Sequence, residues 1–257
     1  MQATQAVQAE SETYSFEARG WYRVARGIAN LLAHLLCRFE VVGLEHVPDT
    51  GPYLMTINHI HWLDPPALMI AFPYKSYVLA ADKWRTRPVF GALLSSLDAI
   101  WVHRGEVDRR ALREALAVLK GGAVLGLAPE GTRSKTGGLQ EGKGGAAYLA
   151  YRAGVGVLPT VATGHEKVFQ SLLKLRRARV RITFGPFFEP PPLPAGTKAT
   201  SEHVQALSEE MMYRMAALLP PEYRGVYTDV EEARPDLMAL GGTGDLGTQL
   251  ESGEELS

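Results

Sequence analysis

Tyr53-Leu54-Met55-Thr56-Ile57, running on into Asn58-His59-Ile60-His61-Trp62-Leu63-Asp64-Pro65-Pro66, carries the fold signal of this 257-residue chain. The first five residues have the length and apolarity of a buried strand. Asn58 to Asp64 interrupts that run with an Asn, two His and an Asp. Asp64 before Pro65 matches a helix N-cap followed by Pro at the first helical position. The stretch therefore reads as strand, loop, helix.

The same alternation continues on both sides. Strands are predicted at Glu40–Val42, Tyr53–Ile57, Tyr77–Ala80, Ile100–His103, Ala123–Ala128, Val157–Val161 and Arg179–Phe184. Helices are predicted at Pro65–Phe72, Arg87–Leu94, Val107–Leu119, Gly144–Arg152 and Ser201–Leu218. The helix from Val107 is the clearest. Ala111, Leu112, Ala115, Leu116 and Leu119 line one face, Arg109, Arg110, Arg113 and Glu114 line the other, and Gly121-Gly122 ends it. Buried strands separated by helices predict an α/β fold, a single domain with a mixed, largely parallel sheet flanked by helices. That domain is placed at residues 40–228, and the apolar content of 46% is enough for a sizeable core.

The flanks differ from this body. Residues 1–13 are polar and predicted to be disordered, and residues 1–15 lack the apolar region of a secretory signal. Residues 14–39 read as an amphipathic helix. Arg19, Arg23, Arg26, Asn30, His34 and Arg38 recur at spacings of three and four and form a narrow polar stripe. The rest of that surface is Phe16, Trp21, Tyr22, Val24, Ile28, Leu31, Leu32, Leu35, Leu36 and Phe39. A wide apolar face beside a basic stripe suits a helix lying in a membrane interface. The alternative is a helix packed on the core with its Arg residues in water. A spanning helix needs about 20 apolar residues, and the stripe interrupts every such window.

Residues 229–257 hold eight acidic residues and one Arg, a net of −7, which leaves +6 on the first 228 residues. This Gly-rich acidic tail is predicted to be disordered. The basic body predicts an anionic partner. Lys174, Arg176, Arg177, Arg179 and Arg181 cluster before a strand and suit lipid headgroups or a plain solvated surface. No aromatic interleaving or nucleic-acid motif accompanies them, so nucleic acid is not an expected partner. The single Cys37 excludes an internal disulfide, argues against a Cys-based metal site and fits a reducing compartment.

His59 and Asp64 stand five residues apart at the end of a predicted strand. A carboxylate that holds one imidazole nitrogen leaves the other free to take a proton, so the two form a candidate general-base pair. Taken alone, the fragment favours Asp64 as a helix cap, the commoner use of Asp, and a cap does not exclude the pair. A second constellation is Leu127-Ala128-Pro129-Glu130-Gly131-Thr132-Arg133-Ser134. Gly131 permits a tight turn or close ligand approach. Arg133 can present a planar fork to a phosphate.

The order Asn-His-x4-Asp, then about 70 residues, then Pro-Glu-Gly-Thr-Arg-Ser, resembles the glycerolipid acyltransferase family that includes the 1-acylglycerol-3-phosphate acyltransferases. Asp82-Lys83-Trp84 through Pro88-Val89-Phe90-Gly91 to Ile100-Trp101-Val102-His103-Arg104 is similar to the family's second block. Gly142-Lys143-Gly144, an Ala-rich helix and then Val157-Leu158-Pro159-Thr160-Val161 resemble the stretch ending in its fourth. The resemblance covers about residues 40–190. Ala128 stands where the family usually has Phe, and Thr160 where an aliphatic residue is common. Both departures bear on acceptor and chain preference.

The resemblance implies transfer of a fatty acyl group from acyl-CoA or acyl-carrier protein to the free hydroxyl of a lysophospholipid, with lysophosphatidate to phosphatidate the leading case. It implies His59 as base, Asp64 as its orienting partner and no enzyme nucleophile. Glu130, Gly131, Thr132 and Arg133 become substrate-binding candidates, joined by Lys83, Arg104 and Lys143 as cations for an acceptor phosphate. Glu130 has two readings, a contact to an acceptor hydroxyl or a brace for its loop. No cofactor or metal is expected beyond the acyl carrier. The expected partners are membrane lipids and that carrier, and the expected location is peripheral, on the cytoplasmic face of a membrane. Related acceptors, such as glycerol-3-phosphate, another lysophospholipid or a glycolipid, fit the same blocks. A rival class is the metal-dependent hydrolases with His-x-His-x-Asp-His. Here the Asp comes one place late, Pro65 replaces the following His, and the other histidines show no ligand spacing.

Overall fold

In the computed structural model, residues 20–96, 98–103, 108–194 and 196–238 are described. Short β-branched and apolar runs give seven strands among them: β1 (Cys37–Val42), β2 (Tyr53–Ile57), β3 (Ser76–Ala81), β4 (Ile100–Val102), β5 (Val124–Leu127), β6 (Val157–Thr163) and β7 (Ala178–Phe184). They form one sheet in the order β1-β7-β6-β2-β5-β3-β4. Every pairing is parallel except β6 with β7. The expected single α/β domain with a mixed, largely parallel sheet is what the chain adopts.

The helices are α1 (Gly20–Leu36), α2 (Asp64–Ala71), α3 (Pro88–Ser96), α4 (Arg109–Lys120), α5 (Gly145–Ala153), α6 (Val168–Leu173), α7 (Ser201–Ala217), α8 (Val230–Ala233) and α9 (Pro235–Met238). The period-two alternation of β2 divides the core between the two faces of the sheet. Leu54 points to one face, where Ala111, Ala115 and Leu119 of α4, Ala147 and Ala150 of α5 and Met211 of α7 cover it. Tyr53 and Met55 point to the other, against Ala67, Leu68 and Ala71 of α2.

The strand directions decide where chemistry can sit. The carboxyl ends of β2, β3, β4, β5 and β6 lie on one edge of the sheet, the usual place for a ligand site in an open α/β sheet. Because β7 runs against β6 and β1 runs with β7, both of those strands start at that same edge.

Two boundaries and the polar stripe depart from the sequence reading. The N-terminal helix stops at Leu36, and Cys37, Arg38 and Phe39 belong to β1, where they pair with Ala178, Arg179 and Val180. β-Pairing outweighs the helical periodicity there. Residues 1–19, with Phe16 and Arg19, lie outside the described residues. The polar stripe also divides, because Arg26 turns inward and donates to the carbonyls of Pro73 (2.9 Å) and Ile70 (3.3 Å). The acidic tail expected from residue 229 folds as far as Met238, since Val230 and Leu237 enter the core. Arg224 pairs with Glu231 at 2.8 Å, and Arg234 pairs with Glu210. The rest of the tail lies outside the described residues.

Candidate active site

The loop after β2 begins by locking itself to the neighbouring strand. Asn58 is buried, and its side-chain amide donates to the Ala162 carbonyl at 3.0 Å while its carbonyl oxygen accepts from the Ala162 N–H at 2.7 Å. The side chain thus extends the β2–β6 ladder by one pair. His59 follows immediately. Its Nδ1 lies 2.5 Å from Asp64 Oδ2.

Asp64 opens α2 but does not cap it. Leu63 is the N-cap residue, and no side chain accepts a capping bond there. The Asp64 carboxylate turns back and accepts from the backbone N–H of His61 at 3.2 Å, from His59, and from Nε2 of His165 at 2.5 Å. The carboxylate thus faces His59 rather than the helix N-terminus. Burial pushes the Asp64 pKa up, but hydrogen bonds from His165 and His59 outweigh it and hold the carboxyl below its usual range. An ionised Asp64 requires a proton on Nδ1 of His59. That leaves Nε2 of His59 as a base on a side chain that is 27% exposed.

His165 had no motif to announce it. It sits in a short 3-10 turn, His165–Lys167, just past β6, and its side chain is only 2% exposed. Gly164 makes the position possible. Its φ is +80°, and a Cβ there would fall 1.9 Å from the Arg179 carbonyl oxygen. The usable signal was topological, because a His just past the end of a strand beside β2 reaches the loop after β2. The far nitrogen of His165, Nδ1, lies 3.9 Å from Glu166, whose carboxylate accepts from the Tyr223 hydroxyl at 2.5 Å.

The block after β5 faces this cluster. Glu130 is buried and both of its oxygens are engaged. Oε1 accepts from the His59 N–H at 2.9 Å, and Oε2 accepts from the Gln140 backbone at 3.0 Å and from its side chain at 3.1 Å. Of its two sequence readings, the brace fits this geometry. Burial raises the Glu130 pKa, and its hydrogen bonds from His59 and Gln140 only partly oppose that. The Ser134 N–H donates to the His59 carbonyl at 2.7 Å and closes the other end of the brace. The Thr132 carbonyl accepts from Gln140 at 2.9 Å.

Gly131 has φ +67°, and a Cβ on it would sit 3.2 Å from Cδ of Lys143. Lys143 thus crosses the loop at the glycine, with its backbone N–H bonded to the Pro129 carbonyl at 2.9 Å. Arg133 is exposed, and the field it adds reaches His61, whose pKa is lowered by burial, by His165 and then by Arg133. His61 Nδ1 accepts from the Leu63 N–H at 3.4 Å. Lys83 is also on this edge, in a turn past β3, with Nζ 5.5 Å from the Trp84 ring centroid. Two strand spacings separate β3 from β2, roughly 10 Å. Lys83 is thus further from His59 than the block after β5. Arg104 lies outside the described residues. Among the described residues, no group of three or more His, Cys, Asp or Glu side chains is placed to hold a metal ion.

A general base with one open nitrogen, next to a loop carrying two exposed cations, can deprotonate a hydroxyl on an anionic molecule. A family model described as Acyltransferase matches residues 38–163. The chain is 29% identical over 121 residues to a 1-acyl-sn-glycerol-3-phosphate acyltransferase of Borreliella burgdorferi, covering 46% of this chain and about half (48%) of that protein. A Pseudomonas aeruginosa protein of the same name is 30% identical over 149 residues, 57% of this chain and 56% of that one. The alpha form from Bos taurus is 26% identical over 222 residues, 82% of this chain and 71% of that one. In fold, the chain is similar to the crystal structure of the 1-acyl-sn-glycerophosphate acyltransferase of Thermotoga maritima. The TM-score is 0.57 at 23% identity, over 82% of this chain and 79% of that one.

Proposed function

We propose that this chain, which belongs to the glycerolipid acyltransferase family, moves a fatty acyl group from a thioester carrier to the free hydroxyl of a lysophospholipid, with lysophosphatidate as the leading acceptor. The observation that carries this reading is the 2.5 Å contact between His59 and Asp64, which leaves Nε2 open beside the loop of Arg133 and Lys143.

In this reading Nε2 of His59 takes the proton of the acceptor hydroxyl as its oxygen attacks the thioester carbonyl. The tetrahedral intermediate collapses with cleavage of the C–S bond. The departing thiolate receives the proton from the imidazolium, and Asp64 keeps the ring in its Nδ1–H tautomer throughout. No residue is acylated. Arg133 and Lys143 hold the acceptor phosphate, with Lys83 further along the edge. The carrier, acyl-CoA or acyl-carrier protein, is a co-substrate, and no other cofactor takes part.

Acceptor and product both live in a bilayer, so the enzyme works on the cytoplasmic face of a membrane as a peripheral protein. No helix among the described residues is long and apolar enough to cross one. Helix α1 supports the interfacial mode. It packs inward through Tyr22 and Ala29 and leaves Ile28 (55%), Leu31 (70%) and Leu35 (67%) exposed. An apolar face turned outward is what a helix immersed at the headgroup level requires.

The deciding experiment supplies purified protein with labelled acyl-CoA or labelled acyl-carrier protein and a panel of lysolipids. Labelled phosphatidate from lysophosphatidate is expected. Transfer confined to glycerol-3-phosphate or a non-phosphorylated acceptor would replace the assignment, and free fatty acid as the main product would defeat acyl transfer.

A further inference from the structure

Helix α6 ends in an unusual way. The Arg176 N–H donates to the Ser171 carbonyl and the Leu175 N–H to the Leu172 carbonyl, both at 2.9 Å. This is a Schellman ending, with Leu175 at the position whose left-handed backbone normally calls for Gly. Leu175 has φ +53° and is 97% exposed. A non-glycine residue in that conformation is strained. Here the strain holds a bare leucine out in solvent. Leu173 beside it is 87% exposed. Phe169 of the same helix is half exposed and stacks on Trp62 of the His59–Asp64 loop, with ring centroids 5.5 Å apart.

Bases surround these apolar tips. Lys174, Arg176 and Arg179 are exposed, and none has a carboxylate partner among the described residues. Beyond them a groove of about 990 Å³ crosses β1 and β7, lined in part by Arg38, Lys167, Arg176 and Arg179. Arg177 joins the element to α1, donating to the carbonyls of His34 and Cys37. Since β1 and β7 both start at the active-site edge, the C-terminal end of α1, the tip of α6 and the loop of His59 all lie at one edge of the sheet.

We propose that α6, its following turn and the start of β7 form a second docking element that inserts Leu173 and Leu175 into a bilayer rich in anionic lipid while Lys174, Arg176 and Arg179 bind the headgroups. Apolar tips ringed by unpaired cations match the layering of such a surface, hydrocarbon below and negative charge above. The element deepens the proposed membrane acyltransferase reading and rests on it for its purpose. Its Trp62–Phe169 contact ties the depth of docking to the loop that carries His59 and Asp64.

The test sediments the full chain with vesicles of phosphatidylcholine, with and without phosphatidylglycerol. Leu173→Gln with Leu175→Gly should lower partition about tenfold or more on both vesicles, the loss of two inserted leucines. Arg176→Gln with Arg179→Gln should lower it about fivefold per charge, only on anionic vesicles and only at low salt. Leu175→Gly relieves the backbone, so its thermal midpoint should stay level or rise. A wild-type partition in the leucine variant, or a fall in its midpoint, would overturn the proposal. So would a charge variant that loses binding to an acidic acyl-carrier protein but not to vesicles. Transfer to a water-soluble short-chain lysophosphatidate should be unchanged in all of them. If the wild type itself transfers nothing, the functional reading fails while the vesicle result still stands.

Discussion

Asp64, at the start of α2, and Glu130, in the loop after β5, are buried carboxylates, 3% and 1% exposed, in segments that meet at His59. Burial raises the pKa of both, yet Asp64 ends below its ordinary range and Glu130 above. The partners make the difference. Asp64 meets two imidazoles that can share positive charge, whereas Glu130 meets amide N–H groups of His59 and Gln140. At Asp64 the hydrogen bonds from the imidazoles outweigh burial, and at Glu130 those from the amides do not. The two carboxyls, one held below and one above its ordinary range, thus stand on either side of His59.

The largest way to break this comparison is to remove the base itself. His59→Ala should lower kcat/KM by about 10²–10⁴ with the fold retained by circular dichroism. Full activity in that variant would end the mechanism. Asp64→Asn keeps the size of the side chain and loses the charge, so it should cost somewhat less, about a hundredfold, and mainly in kcat. His165 sharpens the contrast, since it is what Asp64 has and Glu130 lacks. His165→Phe should lower kcat about tenfold, the worth of one charge-assisted hydrogen bond. His165→Gln can return an N–H donor to Asp64 and should recover part of that. If Gln and Phe behave alike, His165 serves packing only. Arg133→Ala acts on the acceptor and should raise KM several-fold for a phosphorylated acceptor with kcat little changed. An unchanged KM would place the phosphate elsewhere.

Much of this was legible in the sequence, for reasons tied to particular residues. The strand at 53–57 is legible to the residue, because a short, largely apolar run between Pro52 and Asn58 leaves few alternatives. His59 and Asp64 were visible because both come from one short loop. Apolar periodicity places Cys37 to Phe39 in the helix, because it cannot register a strand partner 141 residues away, as Phe39 with Val180 requires. Helix α6 went unseen because its six residues are too short for a 3.6-residue period to emerge. His165 is 101 residues from Asp64, and only the placing of β6 beside β2 brings them together. Local chemistry can be read from spacing, but a contact made by strand order cannot.

The last and smallest expected effect separates the two carboxylates by sign. Asp64 has a folded pKa below its unfolded value, so the native state releases its proton more readily. Its contribution to stability is present above the unfolded carboxylate range and is lost as pH falls through the folded pKa. Glu130 has a folded pKa above its unfolded value, so its contribution declines as pH rises from the unfolded pKa to the folded one. Urea midpoints measured from about pH 3 to about pH 7 should therefore respond in opposite directions. Asp64→Asn should flatten the rise of stability with pH, and Glu130→Gln should steepen it, because it removes a group that opposes that rise. Glu130→Gln should also lower the midpoint at every pH, since one oxygen that accepts from neighbouring N–H groups becomes a donor facing them. If both variants flatten the profile, Glu130 is a depressed carboxylate like Asp64, and the ionisable donors around Asp64 are not what sets the two apart.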